Sequence, residues 1–108
     1  MKNVSDFVMM TAQAAVNTGA AIGFRLGEDT IRIMPVTTGS TNMTLVIEEL
    51  NPDGVTWHNL ATSVLTTVGQ QTPIFFGQFI GRAIRARVSI WTSGTITVSG
   101  YAGTYGTF

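Results

Sequence analysis

Few residues in this chain are of a type that could carry chemistry, and their spacing does not favour catalysis. His58 is the one histidine of the sequence, which excludes a two-histidine metal site within a single chain. The adjacent acids Glu48 and Glu49 lie in an alternating, strand-like run, where neighbouring side chains point to opposite faces. They therefore do not form a carboxylate pair across one substrate. We expect a protein that is not an enzyme and that uses no cofactor or metal.

Arginines and a tryptophan near the C-terminal end predict a basic and aromatic strip. Such a strip could hold the phosphates and bases of a single-stranded nucleic acid. However, six basic residues are balanced by six acidic ones, and a nucleic-acid binder normally has an excess of positive charge. We therefore expect no nucleic acid as partner, and arginines that pair with an acidic neighbour or with Glu48 and Glu49. The candidate interface residues are Arg82, Arg85, Arg87, Trp91, Phe7 and Phe108.

Aromatic residues also allow a second kind of site. Trp57 with His58, and Trp91 with Tyr101, could form a platform for a sugar ring, because β-sandwiches often bind carbohydrate on aromatic faces. The alternative for at least one tryptophan is packing in the core.

The element that must position the arginines is a pair of alternating runs, Ile84 to Trp91 and Thr95 to Tyr101. Alternation in steps of two places Ile84, Ala86, Val88 and Ile90 on one face and the arginines on the other. Between the runs, Thr92-Ser93-Gly94 is typical of a tight turn, so the segment is predicted to be a half-buried hairpin of an antiparallel sheet.

The rest of the chain repeats this pattern without a fixed-length repeat. Short alternating runs are separated by turn signals, of which Asn51-Pro52-Asp53-Gly54 is the strongest. The prediction is an all-β fold: an antiparallel, jelly-roll-like β-sandwich of about seven or eight short strands, formed by residues 18–108 as one domain. Residues 1–17 are predicted to be an N-terminal arm or a short helix.

Composition indicates which partners and which cellular location to expect. Charged residues make up only 11% of the chain, against about 25% in ordinary soluble domains, which favours a surface covered by a partner. There is no cysteine, and no apolar run reaches the ~18 residues of a membrane span. The first residues do not resemble a secretory signal, so we expect synthesis in a cytoplasm and no membrane partner.

Three features together resemble capsid decoration (cement) proteins of tailed bacteriophages. They are the Asp53-Gly54-x-x-Trp57-x-x-Leu60 hairpin, the run from Gly81 to Val98, and the short, cysteine-free, Thr/Gly-rich chain. The resemblance implies a virion structural protein, made in the host bacterium, that binds the outer capsid surface. There it would bridge major capsid protein subunits, as a homo-oligomer for which a trimer is favoured.

Two other functions fit the same residues. One is a carbohydrate-binding β-sandwich for host attachment, with a glycan as ligand. The other is a structural component of the phage tail or neck, which differs from the first hypothesis only in its location within the particle.

Overall fold

The computed structural model describes residues 4–23, 30–76 and 83–103, and β-strands dominate all three parts. The described residues contain no helix, and all strand pairs are antiparallel, so the predicted all-β antiparallel class is confirmed. The strands of the described residues are β1 (Val4–Gln13), β2 (Asn17–Thr18), β3 (Ile22–Gly23), β4 (Thr30–Leu50), β5 (Trp57–Leu65), β6 (Gly69–Gln70), β7 (Ile74–Phe76) and β8 (Ala83–Gly103).

Two long strands form the centre of the sheet. β4 and β8 each contain 21 residues and pair along their whole length, from Thr30 opposite Gly103 to Glu49 opposite Ile84. The shorter strands line the outer sides of this pair. β1 lies beside residues 96–103 of β8, and β2 and β3 lie beside the first half of β8. β5 lies beside the second half of β4, with β6 and β7 beside its first half.

The sheet folds back on itself into two layers. Layer A comprises β1, β6 and β7 with residues 95–103 of β8 and 30–38 of β4; layer B comprises β2, β3 and β5 with residues 83–93 and 42–50. Side chains of both layers form one hydrophobic cluster, with Ile33 and Val98 from layer A and Ile47 and Val88 from layer B fully buried. The shortest dimension of the molecule is 17 Å, which accommodates two sheets packed ~10 Å apart. The β-sandwich thus arises from a single continuous sheet.

The predicted hairpin between Ile84 and Tyr101 is wrong, although the predicted faces of its first run are right. Residues 83–103 form one strand, because β4 runs beside both halves and pairs with Trp91, Ser93 and Thr95 across the expected turn. Gly94, with φ of 94°, bends the strand instead of reversing it. Gly39 has φ of 74° and bends β4 within residues 37–41, for which the sequence predicts a loop but which continue the strand.

A register shift corrects a second detail of this run. Ile84, Ala86 and Val88 are fully buried, as the alternation predicts. Ile90 was predicted to share their face, but it is 63% exposed, since the pairing skips Ser89 between Leu45 opposite Val88 and Thr44 opposite Ile90. One unpaired residue moves the side chains that directly follow it to the other face.

The N-terminal segment is part of the sheet. Residues 4–13, for which the sequence left a choice between an arm and a short helix, form β1 and pair with β8. Phe7 and Met9 point into the core, at the spacing of a strand. The register shifts between Val8 and Met10 and beyond Met10, so Met10 is buried as well.

The strand order repeats, although the sequence shows no evident repeat. β1 to β4 are followed by β5 to β8 in the same arrangement, and the first and the long strand of each set begin 53 positions apart, at Val4 and Trp57 and at Thr30 and Ala83. The pairing is reciprocal, since Val4 lies opposite Gly103 of β8 and Trp57 opposite Leu50 of β4. The two long strands share an identical residue at only four equivalent positions: Ile31/Ile84, Arg32/Arg85, Ser40/Ser93 and Thr44/Thr97.

Candidate functional site

The outer surface of layer A is rich in exposed apolar side chains. Ile31 and Ile33 of β4 point into the core, so Arg32, Met34 and Val36 point outward. Pairing places Tyr101 of β8 beside Arg32, with Phe75 of β7 on its other side. We call the outward residues that share this surface the apolar face: Val8, Met34, Val36, Phe75 and Tyr101.

Exposure of these residues is high for side chains of their type. Val8 is 53% exposed and Phe75 56%, while Val36 and Tyr101 are more than one third exposed. Among the described residues of this outer surface, the charged groups are Asp6 and Arg32, at opposite sides of Tyr101. Pairing places Ser99 between Val8 and Met34, and Arg32 between Tyr101 and Phe75, so polar side chains lie among the apolar ones. A surface with several exposed apolar side chains and so little charge suits the binding of another macromolecule.

Beneath the apolar face, Gly100 allows the close packing of the sheet. Gly100 lies between Phe7 of β1 and Ile33 of β4. A β-carbon at this position would overlap the carbonyl oxygen of Arg32 and lie 2.8 Å from the Phe7 ring. Glycine is therefore required for Phe7 to fill the core under the face, and Phe7, a predicted interface residue, is only 8% exposed.

The outer surface of layer B carries an ion-pair cluster in which one acid pairs with two arginines. Glu48 of β4 accepts hydrogen bonds from Arg85, with 2.9 Å between Oε1 and Nε, and from Arg87, with 3.4 Å between the same types of atom. The guanidinium of Arg85 also lies 4.1 Å from the centre of the Trp57 ring. This arrangement confirms the predicted pairing of these two arginines with Glu48, and it engages the two cations of the predicted basic strip that the structure describes.

The four candidate interface residues that the structure describes, Phe7, Arg85, Arg87 and Trp91, do not form one site. Arg85 and Arg87 lie together, but Trp91 follows the register shift and lies beside the buried Met43 instead of continuing their strip. Its indole Nε1 donates a hydrogen bond to the carbonyl of Gly94 over 2.9 Å. Arg82 and Phe108 lie outside the described residues.

The turn after β4 forms as predicted. Asn51 donates its backbone N–H to the carbonyl of Thr56, and Gly54 has the positive φ, 76°, that such a turn needs. The Asp53 carboxylate accepts hydrogen bonds from the backbone N–H groups of Val55 and Thr56, both at 2.8 Å, and from the Thr56 hydroxyl at 2.6 Å. The Thr56 hydroxyl and then these N–H groups hold the pKa of Asp53 below its ordinary value.

Within the described ranges, no group of three or more His, Cys, Asp or Glu side chains could hold a metal ion. None of the described residues belongs to a helix that could cross a membrane.

Sequence reasoning missed most of the apolar face. It named Tyr101 as part of a sugar platform, but it did not connect Tyr101 with Val8, Met34, Val36 and Phe75. A signal was present, because the run from Ile31 to Val36 has apolar residues at both odd and even positions. Such a strand is apolar on both faces, and only one face can point into the core.

Comparison with known proteins finds the fold elsewhere. No protein-family model matches this sequence, and no curated protein is significantly similar to it. The crystal structure of YomS, a protein derived from the SPBc2 prophage, matches with a TM-score of 0.72 over 94% of both chains at 11% sequence identity. A protein of Bacillus endospore appendages, described as disulfide-linked pili, matches with a TM-score of 0.48 at 14% identity, over 96% of this chain and 85% of that one. The chain shares its fold with YomS.

Proposed function

We propose that this chain is a bacteriophage structural protein that binds the outer capsid surface and bridges neighbouring major capsid protein subunits. The observation that carries the proposal is the apolar face of layer A, which leaves Val8, Phe75 and Tyr101 in solvent in the isolated chain. The phage origin of YomS, which has the same fold, supports a role in a phage particle. The resemblance of the sequence to capsid decoration proteins supports the outer surface as its location.

The apolar face suits contact with an assembled protein shell. Removing the apolar side chains from water is favourable, and among the described residues of this surface only Asp6 and Arg32 carry a charge that has to be desolvated. Several copies acting together raise the effective affinity by about 10²–10⁴ when the geometry allows simultaneous contact. The trimer implied by the resemblance stays a prediction.

A binding measurement with purified capsids tests the proposal. Capsids lacking this protein are incubated with wild-type chain or with Val8→Lys or Tyr101→Lys, and bound protein is measured after sedimentation. Each substitution places a charge in the apolar face and is expected to weaken binding at least about tenfold. Val55→Lys is the matched control, because Val55 is exposed at the turn after β4, away from this face.

Particle stability provides the second arm of the experiment. Capsids with bound wild-type protein should rupture at higher temperature than capsids without it. Equal binding of wild type and both lysine variants would contradict the apolar face as the contact surface. An unchanged rupture temperature would contradict capsid stabilisation, and binding to tails instead of capsids would favour the tail or neck alternative.

Carbohydrate binding is a second candidate, for which one observation speaks. Tyr101 and Phe75 are exposed on either side of Arg32, an arrangement that could place a sugar ring against an aromatic side chain and a hydrogen-bond donor. Binding to host-surface glycans that is lost in Tyr101→Ala would support this function. Failure to bind any glycan of the host surface would exclude it.

A further inference from the structure

The outer edges of the two layers differ in how far they are protected from pairing with another strand. Among the described residues, β1 and β5 are the edge strands of useful length, since β3 and β7 contain two and three residues. β1 carries the charged Asp6, has two register shifts, and has a positive φ of 46° at Ala12. Charges, bulges and irregular backbone are the usual devices that prevent edge-to-edge association.

β5 has far fewer of these devices. Its nine residues include neither a proline nor any Lys, Arg, Asp or Glu, and it has one register shift, between its pairs with Ile47 and Glu48. From that shift to Leu65 the pairing with β4 is regular. Val64 is 70% exposed on the outward side. β5 is thus a long, neutral edge with exposed β-branched and polar side chains.

The internal repeat shows that the chain covers one edge and leaves the other open. Gly19 follows β2 and Gln71 follows β6, and each donates its backbone N–H to a carbonyl of the adjacent long strand, to Ala86 and to Pro35 respectively. The residue after Gly19 covers the edge of β1 at one point, since the N–H of Ala20 donates a hydrogen bond to the Met9 carbonyl over 2.8 Å. A β-carbon on Gly19 would overlap that carbonyl oxygen.

Gln71 makes different hydrogen bonds at the corresponding place in the second half of the chain. Its side chain donates to the carbonyl of Thr67 at 2.7 Å and to the hydroxyl of Thr37 at 3.0 Å. Within the described residues, no backbone hydrogen bond joins Thr72 to β5, and a cleft of about 300 Å³ separates residues 71–74 from Ser63, Val64 and Leu65. The edge that the chain covers at Met9 is therefore open at the corresponding part of β5.

We propose that the open edge of β5 pairs with β5 of a second copy of this chain. Antiparallel pairing of two identical strands has twofold symmetry, and it needs no complementary charge, because β5 has none to repel its copy. The two molecules would then share one continuous sheet through layer B, held mainly by backbone hydrogen bonds. The dimer leaves both apolar faces in layer A free. It differs from the threefold assembly that the sequence resemblance implies.

Sedimentation of the purified chain over a range of concentrations tests this proposal. Wild type should shift reversibly between the monomer mass and twice that mass. Thr62→Lys with Val64→Lys places lysines along the edge and should weaken dimerisation at least about tenfold. The matched control, Val8→Lys with Thr11→Lys, changes two exposed residues of β1 and should dimerise like wild type. Unfolding curves verify that all variants remain folded.

Single cysteines give a second readout that does not depend on stability. The natural chain has no cysteine, so cysteines introduced one at a time at positions 59 to 64 are the only thiols. Those next to the twofold axis should form a disulfide-linked dimer under mild oxidation, and Asp6→Cys and Val8→Cys should not. A chain that stays monomeric, forms trimers, or dimerises equally in the β5 lysine variant overturns the proposal. Capsid binding is lost with Val8→Lys but not with the β5 variant, so the two proposals fail separately.

Discussion

The carboxylate of Glu48 lies 2.9 Å from Nε of Arg85, its direct neighbour across the β4–β8 pair. Glu48 is 8% exposed, and its second partner is Arg87, which lies on β8 like Arg85. An ion pair in this position is worth more than a surface pair, because little water screens it, and the Trp57 ring on the other side of Arg85 fixes the guanidinium.

Glu48→Gln should therefore lower the free energy of unfolding by about 1–2 kcal/mol, between the values for exposed and for buried pairs. Two arginines would remain beside a neutral amide. Urea unfolding measures the change, and the slope of the transition should stay the same. Glu49→Gln is the control, since no ion pair of Glu49 occurs among the described residues. Equal stability of the two variants would contradict this role of Glu48.

Gly100→Ala should destabilise the protein by about 1–3 kcal/mol. The added β-carbon would overlap the backbone of Arg32, which cannot move without disturbing the β4–β8 pairing, and it would press on the Phe7 ring. The effect is measured by thermal or urea unfolding. Gly23→Ala in β3 is the matched control, because a β-carbon there meets no atom within 4 Å. A neutral Gly100→Ala would show that Phe7 is not packed against this position.

Gly39→Ala and Gly94→Ala should both lower the free energy of unfolding of the protein, and Gly94→Ala should lower it further. Each glycine has a positive φ, which costs other residues about 1–2 kcal/mol. A β-carbon on Gly39 would lie in open space, whereas one on Gly94 would lie 3.0 Å from the carbonyl oxygen of Ser40 and 3.1 Å from Cα of Thr41. Urea unfolding ranks the two variants. The opposite order would contradict the bend of β8 described above.

Gly94 also illustrates how far the sequence predicts this fold. The alternation in Ile84 to Val88 is local, and it predicts strand, faces and the outward arginines correctly. Whether Thr92-Ser93-Gly94 reverses or only bends the chain depends on β4, which is more than 40 residues away and pairs on both sides of Gly94. A glycine with positive φ fits either outcome, so no local pattern distinguishes a hairpin from one long strand.

The candidate surfaces show the same division between local and distant information. The pairing of Glu48 with Arg85 was predictable, because a neutral chain with few charges tends to pair those it buries. The apolar face was not predicted, since Val8, Phe75 and Tyr101 come from three distant parts of the chain and meet only through strand register. The open edge of β5 becomes visible only when the two structural repeats are compared. Four identical positions in the long strands are too few to reveal that repeat in the sequence.

The turn at Asp53 should respond to acid in a defined direction. Hydrogen bonds from the Thr56 hydroxyl, and then from the N–H groups of Thr56 and Val55, favour the ionised carboxylate and lower the pKa of Asp53. A lowered pKa in the folded chain means that the stabilising effect is complete above the ordinary pKa of an unfolded aspartate. It is lost as the pH falls through the lower folded value. NMR titration of the Asp53 carboxyl should give a midpoint below 3.8.

Thr56→Val isolates the main cause of this shift. The variant removes the hydroxyl that bonds to Asp53 at 2.6 Å but keeps the two backbone N–H donors, so the pKa of Asp53 should rise part of the way towards its ordinary value. Thr66→Val, which changes an exposed threonine just after β5, serves as control and should leave the midpoint unchanged. If Thr56→Val left the midpoint where it is in wild type, the backbone donors would be the whole cause, and the hydroxyl would have no electrostatic role in the turn.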